Sequence, residues 1–328
     1  MRNFFLFTVL YATVAVVILT VSREQPAIQL LDAWQRTRDT LNAFVKYLPY
    51  FGGGLLVLFA LTRQFGGKTL LSQSIWAMGG CLLFSAAFTL IKTSIPSILP
   101  FYADPFLANL DQAIHGGVDP WVWTHQFAEW ISADAVTTLY FIVWGFPAAF
   151  FPLILAVSDS DADRKRRFLI LHCFVWIGLG NFVALAGSSV GPVYYDRLLG
   201  TERFADLTLA LQGASAIADA RIGMVQDGLW DIYSEHGQAV GSGISAFPSI
   251  HNGVATLATL YLIERSRWLA PVGILFSLAI LFSSVYIGWH YALDGYVSII
   301  LVTAFWYGQR KWAGMRRRNV TFAGVAPA

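Results

Sequence analysis

Long apolar stretches separated by short polar segments dominate this chain. They fall at about residues 4–21, 48–62, 69–91, 135–157, 168–187, 247–263, 268–288 and 291–308, most of them close to the ~20 residues a helix needs to cross the hydrocarbon of a bilayer. The pattern predicts an all-α polytopic membrane helical bundle of about eight transmembrane spans, the second one short and the last two divided by a tight break. Between the first two spans, Leu30, Leu31, Trp34, Leu41, Phe44 and Val45 recur at helical spacing among Asp32, Arg36, Arg38 and Asp39, which predicts an amphipathic helix in the membrane interface. The segment from Pro100 to Trp130 is similar in character, with Trp121, Trp123, Phe127 and Trp130 suited to headgroup depth. Residues 188–246 form the longest non-spanning region, and Leu207, Leu209, Leu211, Ile222, Val225, Leu229 and Trp230 predict one or two short amphipathic helices there, placed as a lid or cap. The organisation expected is an N-terminal anchor span with its interfacial helix over 1–47, then a membrane-embedded domain over 48–328 capped near 188–246.

Composition sharpens this. With 56% hydrophobic residues, 13% charged residues and a mean hydropathy of +0.56, an ordinary soluble domain is excluded, and nothing in the charge pattern points to nucleic acid. Cys81 and Cys173 both fall inside spans, where thiols serve as packing. If the loops alternate, Arg2, Arg63, Lys68, the Arg164-Lys165-Arg166-Arg167 run, Arg265, Arg267, Arg310, Lys311 and Arg316 to Arg318 share one side. That is fourteen of the 22 Lys and Arg residues. The positive-inside rule then places both termini in the cytoplasm, with an uncleaved first span, because no small-residue cleavage site follows Val21.

Two segments carry ionisable groups at the edges of apolar runs: Ala246-Phe247-Pro248-Ser249-Ile250-His251, and Ser283 through Asp294, which contains His290. Intramembrane or membrane-edge ionisable residues mark function by default. Asp294 follows His290 by four residues, one helical turn, so its carboxylate can accept the Nδ1 proton and leave Nε2 free to attack phosphorus. His251 can protonate the leaving oxygen and then deprotonate an acceptor. Such a trio supports double-displacement phosphoryl transfer without a metal or organic cofactor. The bland alternative is a satisfied histidine at each of two helix ends and a capping aspartate.

Pro248-Ser249-Ile250-His251 resembles the P-S-G-H motif of the type 2 phosphatidic acid phosphatase superfamily, with Ile250 in the glycine position. Ser283, His290 and Asp294 match that family's third motif, with Ser284 where arginine is usual. Lys92, Leu99 and Pro100 match its first motif in spacing, again without the arginine. The departures resemble the branch of inositol phosphorylceramide and sphingomyelin synthases, in which a phosphorylated headgroup moves between lipids. The resemblance implies catalytic roles for His251, His290 and Asp294, with Ser249 and Lys92 at the phosphate.

Gly191-Pro192-Val193-Tyr194-Tyr195-Asp196-Arg197 occupies the place, relative to the second motif, where that branch has a proline- and aromatic-rich stretch. Tyr194, Tyr195 and Arg197 are therefore substrate-binding candidates, Arg197 as a replacement cation or else the partner of a surface salt bridge to Asp196 or Glu202. Asp104, Asp111 and His115 can recognise a polar headgroup, although a Gly116-Gly117 turn after a helix also accounts for His115. A phosphodiester carries one negative charge and a phosphomonoester nearly two, so a site short of arginines favours the diester. The expected activity is phosphotransfer from a phospholipid, phosphoinositol being one headgroup to consider, to a lipid alcohol. A lipid phosphatase or diphosphatase using water is the alternative, and a lipid transporter or scramblase is the alternative of another class.

Overall fold

The computed structural model describes residues 1–22, 67–213, 221–235 and 243–323, with isolated positions between 26 and 53, and every regular element among them is helical. The expected interfacial helix over 30–45 and the short span over 48–62 lie essentially outside the described residues. Among the described residues five helices are long and apolar enough to cross a membrane. They are α1 (Arg2–Ser22), the bulk of α2 (Gly67–Ile98), α5 (Asp134–Ser158), α6 (Ala162–Ala186), and α11 (Ala270–Tyr286) with the single 3-10 turn before it. Helices α10 (Ile250–Arg265) and α12 (Ala292–Ala323) lie in the same bundle, packed on α11 and on one another.

Helix α10 is the hub. Val254, Leu257, Leu260 and Tyr261 interlock with Phe151 and Leu155 of α5, Phe168, Leu171, Val175 and Leu179 of α6, and Val302 of α12. Its polar positions stay quiet in an apolar setting because Thr256 and Thr259 donate back to carbonyls one turn earlier, at 2.7 and 2.8 Å, leaving no orphaned hydroxyl. Helix α1 lies against α2 through Phe4, Tyr11 and Ala15, which meet Phe84, Ala87, Phe88 and Ile91.

The two ends of the bundle differ in chemistry. At one end Arg164 makes a bidentate pair with buried Asp159 at 2.6 and 2.7 Å, Arg167 reaches Glu264 at 2.6 Å, and Arg265 donates to the Ser158 carbonyl. These contacts account for much of the Arg164–Arg167 run as an end-tether between α5, α6 and α10. At the opposite end sit the short helices α3 (Asp104–Ile114), α4 (Pro120–His125), α7 (Pro192–Leu199), α8 (Ala205–Gly213) and α9 (Arg221–Ser234). Helices α7 to α9 supply short helices of the kind expected over 188–246. Leu207 and Leu211 of α8 and Phe204 pack with Tyr195, Tyr291, and Leu107 and Ala108 of α3.

Candidate functional site

The start of α12 organises the histidine end. The first amides of any helix lack intrahelical partners, and here the first two find a carboxylate. Ala292 and Leu293 donate to Asp111 of α3 at 3.1 and 2.9 Å, while Asp294 reaches back to the Tyr291 amide at 3.0 Å, as the third residue of a capping box does. His290 thus lies in the turn before the helix, not on it. Its Nδ1 stands 2.8 Å from the Ala246 carbonyl and 3.4 Å from Asp294 Oδ2. The nearer acceptor for the Nδ1 proton is therefore the carbonyl, with the carboxylate behind it, and Nε2 keeps its lone pair. That nitrogen lies 3.4 Å from His251 Nδ1.

Helix α10 presents His251 from its first turn. Ser249 is its N-cap, its Oγ accepting from the Asn252 amide at 3.4 Å and from Asn252 Nδ2 at 3.1 Å, a local satisfaction of end amides typical of serine. The Ser249 amide donates to the Asp294 carbonyl at 3.2 Å, tying the two motif turns directly together. Gly295 permits this approach, since a Cβ there would stand 2.4 Å from Leu281 and 3.0 Å from Asn252 Nδ2. The His251 ring is held between Tyr140, at 4.2 Å and 19°, and Trp144, at 4.1 Å and 32°, and the Trp144 indole also donates to the His251 carbonyl at 2.9 Å. Tyr140 belongs to a π-helical turn of α5, Thr138–Val143, a local geometry frequent at functional sites.

Lys92 near the C-terminal end of α2 completes the electrostatics, its charge acting on both histidines. Its side chain lies against Gly243, whose Cβ position would meet Lys92 Cγ at 3.3 Å. The two positions where the related motifs carry arginine are committed elsewhere. Ser284 is fully buried and bonded to Leu281 and Asn252, and the Leu99 carbonyl accepts from Ser188.

The loop between α6 and α7 forms the remaining wall. Asp104 accepts from the Val190 and Gly191 amides, each at 2.9 Å, and from the Tyr291 hydroxyl at 3.0 Å. Gly191 has φ +86°, and a Cβ there would lie 2.5 Å from the Trp289 carbonyl. Asp104 and Asp111, seven residues apart on one face of α3, thus pin this loop and the start of α12. Burial raises both carboxyls above the usual aspartate value, against the opposing pull of the amides they accept from.

Several sequence-predicted residues sit apart from the histidines. His115 bridges the Asp111 carbonyl at 2.6 Å and the Tyr296 hydroxyl at 3.0 Å. Tyr194 donates to the Gln226 carbonyl and stacks on Trp230, while Tyr195 packs edge-on against Phe204. Arg197 pairs at 2.7 Å with Asp227, and both are well exposed, so its ion-pair partner is neither Asp196 nor Glu202. The contacts of Tyr194, Tyr195 and Arg197 hold the cap helices to one another. Tyr140, Trp144, Trp289 and Asn252 are the site residues that sequence reasoning missed. Asn252, next to His251, was the one within reach of a local argument.

Chemically, the arrangement is a nucleophile and a proton carrier face to face. Burial holds His290 far below the usual histidine value, at about 3, with the Lys92 charge adding to the effect and the Ala246 carbonyl opposing it. A neutral imidazole that keeps the Nε2 lone pair is the form that attacks an electrophile. Among the described residues no group of three or more His, Cys, Asp or Glu side chains is arranged to hold a metal ion.

A family model described as PAP2 superfamily matches residues 105–308. Neither the curated proteins nor the solved structures give a match.

Proposed function

The chain belongs to the PAP2 superfamily and is a membrane phosphatase or phosphotransferase; on that premise we propose that it transfers a phosphorylated polar headgroup from a phospholipid to a lipid alcohol. His290 Nε2 attacks phosphorus, forming an N–P bond as the P–O bond to the diacylglycerol breaks. The departing oxygen takes the proton carried by His251. His251, now neutral, removes the proton of the acceptor hydroxyl, whose oxygen attacks phosphorus and expels His290 with its lone pair restored. Ala246 and Asp294 hold the Nδ1 proton of His290 throughout.

The observation that carries the choice of substrate is the charge of the site. Lys92 is the one cation acting on the two histidines among the described residues, and a single ammonium balances the single charge of a diester. Phosphoinositol is the headgroup we favour, with ceramide or diacylglycerol as acceptor. Water in place of the lipid alcohol gives the closest alternative, a lipid phosphatase or diphosphatase. For the topology we propose eight spans, with both termini in the cytoplasm and the histidines on the extracytoplasmic face. The separation of the arginine-rich end from the histidine end supports this, and cysteine-accessibility labelling at Ser266 and Gly200 in intact cells tests it.

The functional test is a mixture of phosphatidylinositol, phosphatidic acid, ceramide and diacylglycerol supplied to the detergent-purified protein and its His290→Ala variant, with products read by mass spectrometry. A His290-dependent lipid bearing an exchanged headgroup is the expected result. Faster turnover of phosphatidic acid than of any diester would overturn the substrate assignment.

A further inference from the structure

A site that binds phosphate with one lysine and no arginine needs other donors, and two stand unused beside His251. The Tyr140 hydroxyl, on a fully buried side chain, has no hydrogen-bond partner among the described residues, and neither has the Trp289 indole N–H, a buried atom on a half-buried side chain. The two rings meet edge to face at 5.5 Å, and both pack on His251, Tyr140 at 4.2 Å and Trp289 at 6.0 Å. Trp289 also precedes His290 directly in the chain. A buried donor left without a partner is destabilising by more than the net worth of an ordinary hydrogen bond, so two such donors around one imidazole call for an acceptor that arrives with the substrate.

The surroundings select the acceptor. Tyr140 stacks on His251, whose Nδ1 lies 3.4 Å from His290 Nε2, so its ring borders the histidine pair. Two buried acceptors near the histidines, Asn252 Oδ1 and Asp294 Oδ1, are also without a partner among the described residues, so neither serves the Tyr140 hydroxyl or the Trp289 N–H. An incoming group must therefore supply oxygens, and within reach of His290 Nε2 those oxygens are the non-bridging oxygens of a phosphoryl group. We propose that Tyr140 Oη and Trp289 Nε1 are phosphoryl-binding donors, neutral substitutes for the guanidinium groups whose positions here hold Ser284 and Leu99. Neutral donors hold the oxygens without adding charge, which matches a monoanionic diester. The inference rests on the phosphoryl-transfer reading of the same site.

Orthovanadate, titrated calorimetrically into the detergent-purified full chain, tests the proposal without requiring the lipid substrate to be known. Tyr140→Phe keeps the ring on His251 and removes only the hydroxyl, and Trp289→Phe removes the N–H donor together with part of the indole while keeping an aromatic ring at the position. Each variant is expected to bind orthovanadate about 10- to 100-fold more weakly, the range for losing a hydrogen bond to a charged group. Tyr286→Phe serves as the control. Its hydroxyl is likewise buried and without a partner among the described residues, but its ring faces His125 and Phe282, so the variant's affinity should equal that of the unaltered protein. Unchanged affinity in both Tyr140→Phe and Trp289→Phe overturns the donor assignment while leaving the phosphoryl site intact. An equal loss in Tyr286→Phe also overturns it, since the effect would then be one of general packing. Absence of binding to the unaltered protein overturns the phosphoryl site itself, and the donors with it.

Discussion

Replacing Asp111 with alanine should impair catalysis from outside the reacting groups. Its carboxylate, buried at 2% exposure, accepts from the Ala292 and Leu293 amides at 3.1 and 2.9 Å, two of the end amides that a helix cannot satisfy itself. Removing the acceptor strands both in a closed interior, at about 1–3 kcal/mol each. The buried carboxylate has its own desolvation cost, so a net loss of about 2–4 kcal/mol is expected for Asp111→Ala. Asp111→Asn, which keeps one acceptor oxygen, should lose about half as much. Slackening this turn also lets His290 drift from the Ala246 carbonyl, and displacement of a reacting group by about 1 Å can cost around 100-fold in rate. Thermal unfolding in detergent, measured beside lipid turnover, reads both effects. An Asp111→Ala protein with unaltered Tm and a raised KM would refute the capping argument and make Asp111 a headgroup ligand instead.

Three further outcomes follow from the same geometry. His290→Ala should abolish formation of an acid-labile phosphoenzyme and all lipid turnover, and full activity in that variant would remove His290 as nucleophile. Gly191→Ala places a Cβ 2.5 Å from the Trp289 carbonyl at φ +86°, so it should lose at least about 1–2 kcal/mol from the backbone conformation alone and most of its activity. Unchanged turnover would show that the loop yields freely. Burial holds His125 and His290 below the ordinary histidine value of about 6.5 in the folded protein. As pH falls past that value the unfolded chain takes up protons first, so stability present above it is lost on acidification, at up to about 1.4 kcal/mol per pH unit for each group. Tm should drop between pH 7 and pH 5, less steeply in His125→Phe, and a flat profile would contradict the neutral-histidine picture.

The legible parts of the site were those encoded at short range. The spacing of Ser249, His251, His290 and Asp294 brought the two motif turns to notice, and apolar run lengths forecast a helical membrane bundle. Sequence separation hid the rest. Tyr140 and Trp144 reach His251 across more than a hundred residues, and nothing in their own neighbourhood distinguishes them from lipid-facing aromatics. Asp104, Asp111 and His115 have the character of loop polar residues suited to a headgroup. In the fold they turn inward, because the amides of Val190, Gly191, Ala292 and Leu293 and the Tyr296 hydroxyl need partners more locally than any ligand would. Arg197 shows the converse, a charge near a promising motif whose partner, Asp227, came from a helix that periodicity alone could not orient.

The staples made by α3 also set the order in which this protein can be built. Asp104 and Asp111 meet Tyr291, Ala292 and Leu293 across 181 to 187 residues of chain, so during synthesis both carboxylates enter the nascent bundle long before their partners exist. Contacts this distant close late. The first turn of α12 therefore acts as a final latch, and a chain stalled before α12 would hold a nearly complete scaffold, Asp111 without its two amide donors, Asp104 short of the Tyr291 hydroxyl, and no enzyme.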